Sequence, residues 1–214
     1  MVAALLIDMD GTLVDTEPYW MEAERALVAD HGDTWTEADA HSIVGYDLLH
    51  AADALRDRGG VTLSREEAVD WMLNRVIERC RVELPWRPGA RELLVDCRAR
   101  GVPVVLVTMS WRSLADAVLH AAPADTFTGS VTGDEVSRGK PDPEPYLTAC
   151  DLLAVDPGDC IAIEDSPTGV QSAWRAGCRT ICIPHIVQFD PPDGVVKLDT
   201  LAGRTLADLD ELTS

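Results

Sequence analysis

Four short runs, at residues 3–9, 102–108, 160–163 and 180–183, are apolar through their interiors, which is the pattern of strands buried on both faces of a sheet. A weaker run at 126–132 sits among them. Segments of helical periodicity at 89–100, 111–121, 143–153 and 167–176 lie between or beside the strong runs. Strands that alternate with helices need right-handed crossovers, and these give a mostly parallel sheet covered on both faces. The pattern therefore predicts a doubly wound, Rossmann-like α/β core.

Between the first and second runs the pattern changes. Amphipathic helical signals occupy 17–31, 37–44, 48–58 and 64–82, and no strand signal interrupts them. Ser64 with Glu67 three residues on forms a capping box for the last of these. The stretch Leu84-Pro85-Trp86-Arg87-Pro88-Gly89 reads as a return linker whose Pro-Gly opens the next helix. The expected division is an α/β core of residues 1–15 and 86–214, with an all-helical cap at 16–85 inserted directly after the first strand. No internal repeat or low-complexity segment is evident.

Composition narrows the classes of function. The 214 residues, 46% of them hydrophobic, suffice for a buried core. The apolar stretch 2–7 is too short for a signal-peptide core, has no basic residue before it and runs into Asp8, and no other run approaches membrane-spanning length. A cytoplasmic protein without a membrane partner is expected. The six cysteines show no Cys-x-x-Cys pair and no His at zinc-ligand spacing, so buried free thiols are expected. Cys178 and Cys182 would share a strand face about 13 Å apart, too far for a disulfide. The formal charge of −19 would repel a nucleic acid backbone. It does not exclude a small phosphate ester, for which local cations suffice.

In open α/β sheets ligands sit at the carboxyl ends of the strands. Asp8 and Asp10 end the first strong run, Thr108 and Ser110 the second, and Glu164-Asp165-Ser166 the third; Lys140 lies in the turn-rich Arg138-Gly139-Lys140-Pro141-Asp142. One such cluster reads equally as a capped turn. Four in order make a kit for phosphoryl transfer, with carboxylates for a hard cation, a hydroxyl donor, a lysine, and the Gly11 and Thr12 amides for phosphate oxygens. Lys140 and Lys197 are the only lysines beside sixteen arginines, and a compact ammonium suits a point contact to phosphate or carboxylate oxygens.

The segment Asp8-Met9-Asp10-Gly11-Thr12-Leu13-Val14-Asp15, then Thr108, Lys140-Pro141-Asp142 and Glu164-Asp165-Ser166-Pro167-Thr168-Gly169, resembles the four ordered motifs of the haloacid dehalogenase superfamily. The helical insert is similar to the cap of the β-phosphoglucomutase-like subgroup. The resemblance implies that Asp8 is a nucleophile forming an aspartyl-phosphate, and that Asp10 is acid and then base, with its carbonyl on Mg²⁺. It implies that Thr108 bonds a phosphoryl oxygen and that Lys140 orients Asp8 while offsetting its neighbours' charge. Asp165 would ligate Mg²⁺ together with Asp8, and Glu164 would do so directly or through water. Ser166 and Gly169 would shape the loop and helix start.

Within that superfamily, Asp10 and Asp165 argue against dehalogenation, and a stretch 16–85 with no lysine argues against Schiff-base phosphonate cleavage. A phosphomutase is the nearer alternative, but Val44-Gly45-Tyr46-Asp47-Leu48-Leu49 and Trp111 supply no cation for a second phosphate. A small phosphorylated metabolite, hydrolysed with Mg²⁺, is the expected substrate. Tyr46, Trp111 and Arg112, with Ser110, are candidates for contacting it, although Tyr46 and Trp111 read equally as packing residues. A signalling receiver would be shorter and would lack the insert; a catalytically idle relative is a further alternative that the intact motif set disfavours.

Overall fold

The computed structural model describes residues 2–43 and 48–214. Strands β1 (Ala4–Ile7), β2 (Val104–Val107), β3 (Gly129–Val131), β4 (Cys160–Glu164), β5 (Arg179–Cys182) and β6 (Val196–Lys197) form one sheet in the order β3-β2-β1-β4-β5-β6. Every pairing is parallel. The chain divides into two compact units, Met1–Asp15 with Pro85–Ser214, and Thr16–Leu84.

The sheet unit is α/β. Every residue of β1, β2 and β4 is buried, which explains why these strands read as unbroken apolar runs. The helices of this unit are α5 (Ala90–Arg100), α6 (Arg112–Ala121), α7 (Glu144–Leu153), α8 (Pro167–Arg175) and α9 (Leu206–Leu212). Helix α7 packs on β2 and β3, α8 packs on β4 and β5, and the two touch each other. One continuous core joins Ala4, Leu6, Val105, Val107, Cys160 and Ala162 to Tyr146 and Ala149 of α7 and Ala173 of α8. Alternation sends Leu5, Ile7, Val104, Leu106, Ile161 and Ile163 to the other face, where they are equally buried.

One sequence expectation differs in detail, and two short elements were not anticipated. The weak run 126–132 yields only the three-residue edge strand β3, preceded by Asp125 at φ 57°. Strand β6 has two residues and α9 seven, and neither was expected from periodicity. All six cysteines are buried and free. Among the described residues no helix is long and apolar enough to cross a membrane.

The second unit is built of α1 (Glu17–Asp30), α2 (Glu37–His41), α3 (Leu48–Gly59) and α4 (Arg65–Val82). Capping boxes at Thr36 with Asp39 and at Ser64 with Glu67 start α2 and α4. Helix α4 buries Val69, Met72, Leu73, Val76 and Ile77 and packs against α1 and α3. Glu24 of α1 is 6% exposed and accepts a hydrogen bond from Trp35 Nε1 at 3.1 Å. Burial is the dominant effect on it and, outweighing that hydrogen bond, lifts its carboxyl from 4.5 to about 7. The folded state then holds a proton that the unfolded chain has lost, so stability falls as pH rises through that window. A difference of this size corresponds to about 3 kcal/mol. Glu24→Gln keeps an acceptor for Trp35, and it is expected to raise unfolding free energy at pH 8 while changing little at pH 5. Urea denaturation at the two pH values measures this, and equal effects at both would contradict it.

Candidate active site

Strand β1 lies between β2 and β4, so the carboxyl ends of these three strands stand side by side. Ile7 is level with Leu106 on one side and Ile163 on the other. The next residues on the three strands are therefore neighbours, and the Asp8 amide donates to Ile163 O at 3.1 Å. This register, set by apolar burial, brings Asp8, Thr108, Glu164 and Asp165 to one rim.

Lys140 completes the cluster from the loop before α7. Its side chain is 4% exposed, and Nζ donates to Asp8 Oδ1 (2.6 Å), Glu164 Oε1 (2.5 Å) and Val107 O (2.9 Å). The loop is fixed along its length. Ser137 N donates to Glu144 Oε1 at 2.6 Å, Lys140 N to Met109 Sδ at 3.3 Å, and Ser172 Oγ of α8 to Asp142 O at 2.5 Å. Burial alone would pull the ammonium's pKa down, but Asp8 and Glu164 outweigh it and hold the group charged.

Asp8, Glu164 and Asp165 offer carboxylate oxygens that all lie within 4.8 Å of one another. Fully ionised, three carboxylates beside one ammonium would carry two uncompensated negative charges in a largely buried space. Burial first, and then the charge of Asp8, raise the carboxyls of both Glu164 and Asp165 above their ordinary values. A hard divalent cation matches this all-oxygen donor set and its charge deficit. Two glycines make room for the acids. A side chain at Gly11, whose φ is +86°, would collide with Asp165, and one at Gly169 would collide with Glu164.

The other sequence candidates divide. Ser110 Oγ donates to Asp10 Oδ2 at 2.6 Å, which ties the rim of β2 to the loop after β1. Thr108 is buried; its Oγ1 accepts from Ser110 N at 3.0 Å, leaving its own proton to donate elsewhere. The Gly11 amide, expected to hold a phosphate oxygen, instead donates to Val14 O at 2.8 Å. Thr12 is 2% exposed; its Oγ1 has no partner among the described residues, and it lines a small recess with Arg87, Pro88, Ile183, Thr200 and Leu201. Arg112 is not brought to the acids. Its guanidinium is shared among Glu135, Asp116 and Ser130, where Ser130 Oγ accepts at 2.7 Å. Trp111 is half-buried at the start of α6. Tyr46 lies outside the described residues.

Sequence reasoning missed Tyr146, whose hydroxyl donates to Glu164 Oε1 at 2.7 Å and whose ring centre is 5.5 Å from Lys140 Nζ. Nothing in the local spacing distinguishes this tyrosine from an ordinary core aromatic on α7.

The chain is similar to known proteins over most of its length. The chain is 31% identical over 216 residues to hexitol phosphatase B of Escherichia coli (strain K12), covering 97% of this chain and 96% of that protein. It is 30% identical to the bifunctional riboflavin kinase/FMN phosphatase of Arabidopsis thaliana, of which it spans about half the length (49%). The structure of CbbY from Rhodobacter sphaeroides in complex with xylulose-(1,5)bisphosphate superimposes with a TM-score of 0.86 at 25% identity, over 98% of this chain and 99% of that one. Residues 2–177 match the description of haloacid dehalogenase-like hydrolases, and with its parallel sheet, helical insert and acid-rich rim the chain belongs to that family.

Proposed function

We propose that this protein is a Mg²⁺-dependent phosphatase that hydrolyses a phosphorylated sugar or sugar alcohol through an aspartyl-phosphate on Asp8. The observation that carries the reading is the bond of Lys140 to both Asp8 and Glu164 inside a cluster of three carboxylates. Similarity to a hexitol phosphatase over nearly the whole length supports the substrate class.

In the first half-reaction an Asp8 oxygen bonds to phosphorus as the bond to the leaving oxygen breaks, and protonated Asp10 gives its proton to that oxygen. In the second, Asp10 takes a proton from water as the water oxygen attacks phosphorus. The bond to Asp8 then breaks and phosphate leaves. Ser110 holds the Asp10 carboxyl in place, and Lys140 fixes Asp8 by occupying one of its oxygens. Thr108 has a proton available for a phosphoryl oxygen. Asp8 and Asp165, with the Asp10 carbonyl and with Glu164 directly or through water, are assigned to Mg²⁺; when bound, it would offset the charge of the acids facing an anionic substrate.

The helical insert, residues 16–85, is assigned the part of selecting the leaving group, and residues 1–15 and 86–214 the chemistry. Six buried free thiols favour a reducing, cytoplasmic setting. A phosphate-release screen over hexitol and sugar monophosphates, with and without Mg²⁺, tests the reading. The screen includes β-glucose 1-phosphate with its bisphosphate. Release that requires Mg²⁺ and stops on chelation is expected; isomerisation of the sugar phosphate without release would overturn it in favour of a mutase.

A further inference from the structure

We propose that Tyr146 is a positioning residue of this site, its hydroxyl holding Glu164 so that Lys140 is kept on Asp8. The proposal rests on the phosphatase reading above and adds a residue that the four motifs do not contain.

Tyr146 is 0% exposed, on the face of α7 that packs against Ala4, Leu6, Val105, Val107 and Ala162. A phenylalanine would fill that apolar space equally well, and a hydroxyl buried there without a partner would be unfavourable. Among the described residues the hydroxyl's hydrogen-bond partner is Glu164 Oε1, at 2.7 Å. The same oxygen accepts from Lys140 at 2.5 Å.

Lys140 has three protons and, among the described residues, three oxygens to receive them: Asp8 Oδ1, Val107 O and Glu164 Oε1. Val107 O belongs to the sheet and cannot move far. Asp8 is the group to be oriented. Glu164 is therefore the adjustable support of the ammonium, and its own position must come from elsewhere. Its Oε2 is hemmed in at Gly169, where no side chain would fit, and lies 3.4 Å from Ser166 Oγ. Its Oε1 is aimed by Tyr146. The aromatic ring also stands 5.5 Å from Nζ, which favours the cation on that side. Burial foremost, and then Glu164 and Asp8, push the phenol well above its ordinary value, so it stays a donor throughout the working pH range.

Tyr146→Phe keeps the ring and removes only the donor. Loss of one charge-assisted hydrogen bond predicts that kcat falls roughly tenfold. KM is expected to stay within about twofold, because the substrate's own contacts are untouched. The double variant Tyr146→Phe/Glu164→Ala is expected to be no slower than Glu164→Ala alone, since alanine leaves the hydroxyl nothing to hold, as required if it acts through that carboxylate. A crystal structure of Tyr146→Phe is expected to show Lys140 Nζ withdrawn from Asp8 beyond hydrogen-bond distance. An unchanged kcat, effects of the two substitutions that multiply, or an intact bond from Lys140 to Asp8 would each overturn the proposal. If the wild-type protein released no phosphate from any ester, the phosphatase reading would fail by itself, and the Lys140 to Asp8 distance in the variant would still decide the role of Tyr146.

Discussion

Asp8→Asn is expected to abolish phosphate release, lowering kcat by roughly four orders of magnitude or more, because a neutral amide is too poor a nucleophile to form the acyl phosphate. The fold should survive, and in the metal-free state it should gain. Asp8 is among the leading causes that raise the carboxyls of Glu164 and Asp165, so removing its charge relieves a repulsion that the wild type bears. The Asn oxygen can still accept from Lys140. Thermal unfolding with and without Mg²⁺ checks this. The variant should melt above the wild type in chelator and gain less on addition of Mg²⁺, since one ligand and one charge have gone. Substantial residual turnover would remove Asp8 from the role of nucleophile.

Lys140→Met is the second large expectation. It leaves Asp8 and Glu164 buried without their shared cation, and breaking a buried pair of this kind typically destabilises by about 3–5 kcal/mol. Turnover should be lost with it. The sign of the pH dependence follows from the same geometry. Without the ammonium the buried acids hold protons in the folded state that the unfolded chain has released, so stability declines as pH rises above the ordinary carboxylate range. The deficit relative to the wild type should therefore be smaller at pH 5 than at pH 8 in urea denaturation. Equal deficits would show that the ion pair is not what the substitution removes.

The parts of the fold legible in the sequence were those with strong burial. Strands β1, β2 and β4 are covered on both faces, so their composition alone marks them. Edge strands lack that signature. β3 exposes two of its three residues in part, and β6 is half polar, so neither stands out from a loop. Helix α9 carried a readable start in Thr205 and Asp208, but seven residues give too few turns for periodicity to register. The rim acids and Lys140 were legible because each ends a strand or sits in a turn. Arg112 was not readable in the same way, because two of the partners that engage its guanidinium, Glu135 and Ser130, lie far along the chain and only the fold brings them close. Tyr146 was hidden for a related reason. Its carboxylate partner is 18 residues away on a different element, and no repeat distance encodes that meeting.

The central place of β1 has a consequence for how the chain assembles during synthesis. The strand bearing Asp8 is the first made, yet both of its neighbours in the sheet come later: β2 near residue 105, and β4, with Glu164 and Asp165, more than 150 residues behind. Until β4 has been made, β1 has an open edge and Asp8 remains in water, where its charge needs no partner. The crowding of buried acids that suits the site to a divalent ion therefore arises only once β4 has joined β1. By then the helical unit between β1 and β2 has been synthesised in full, and only β5 and β6 of the sheet are still to be added.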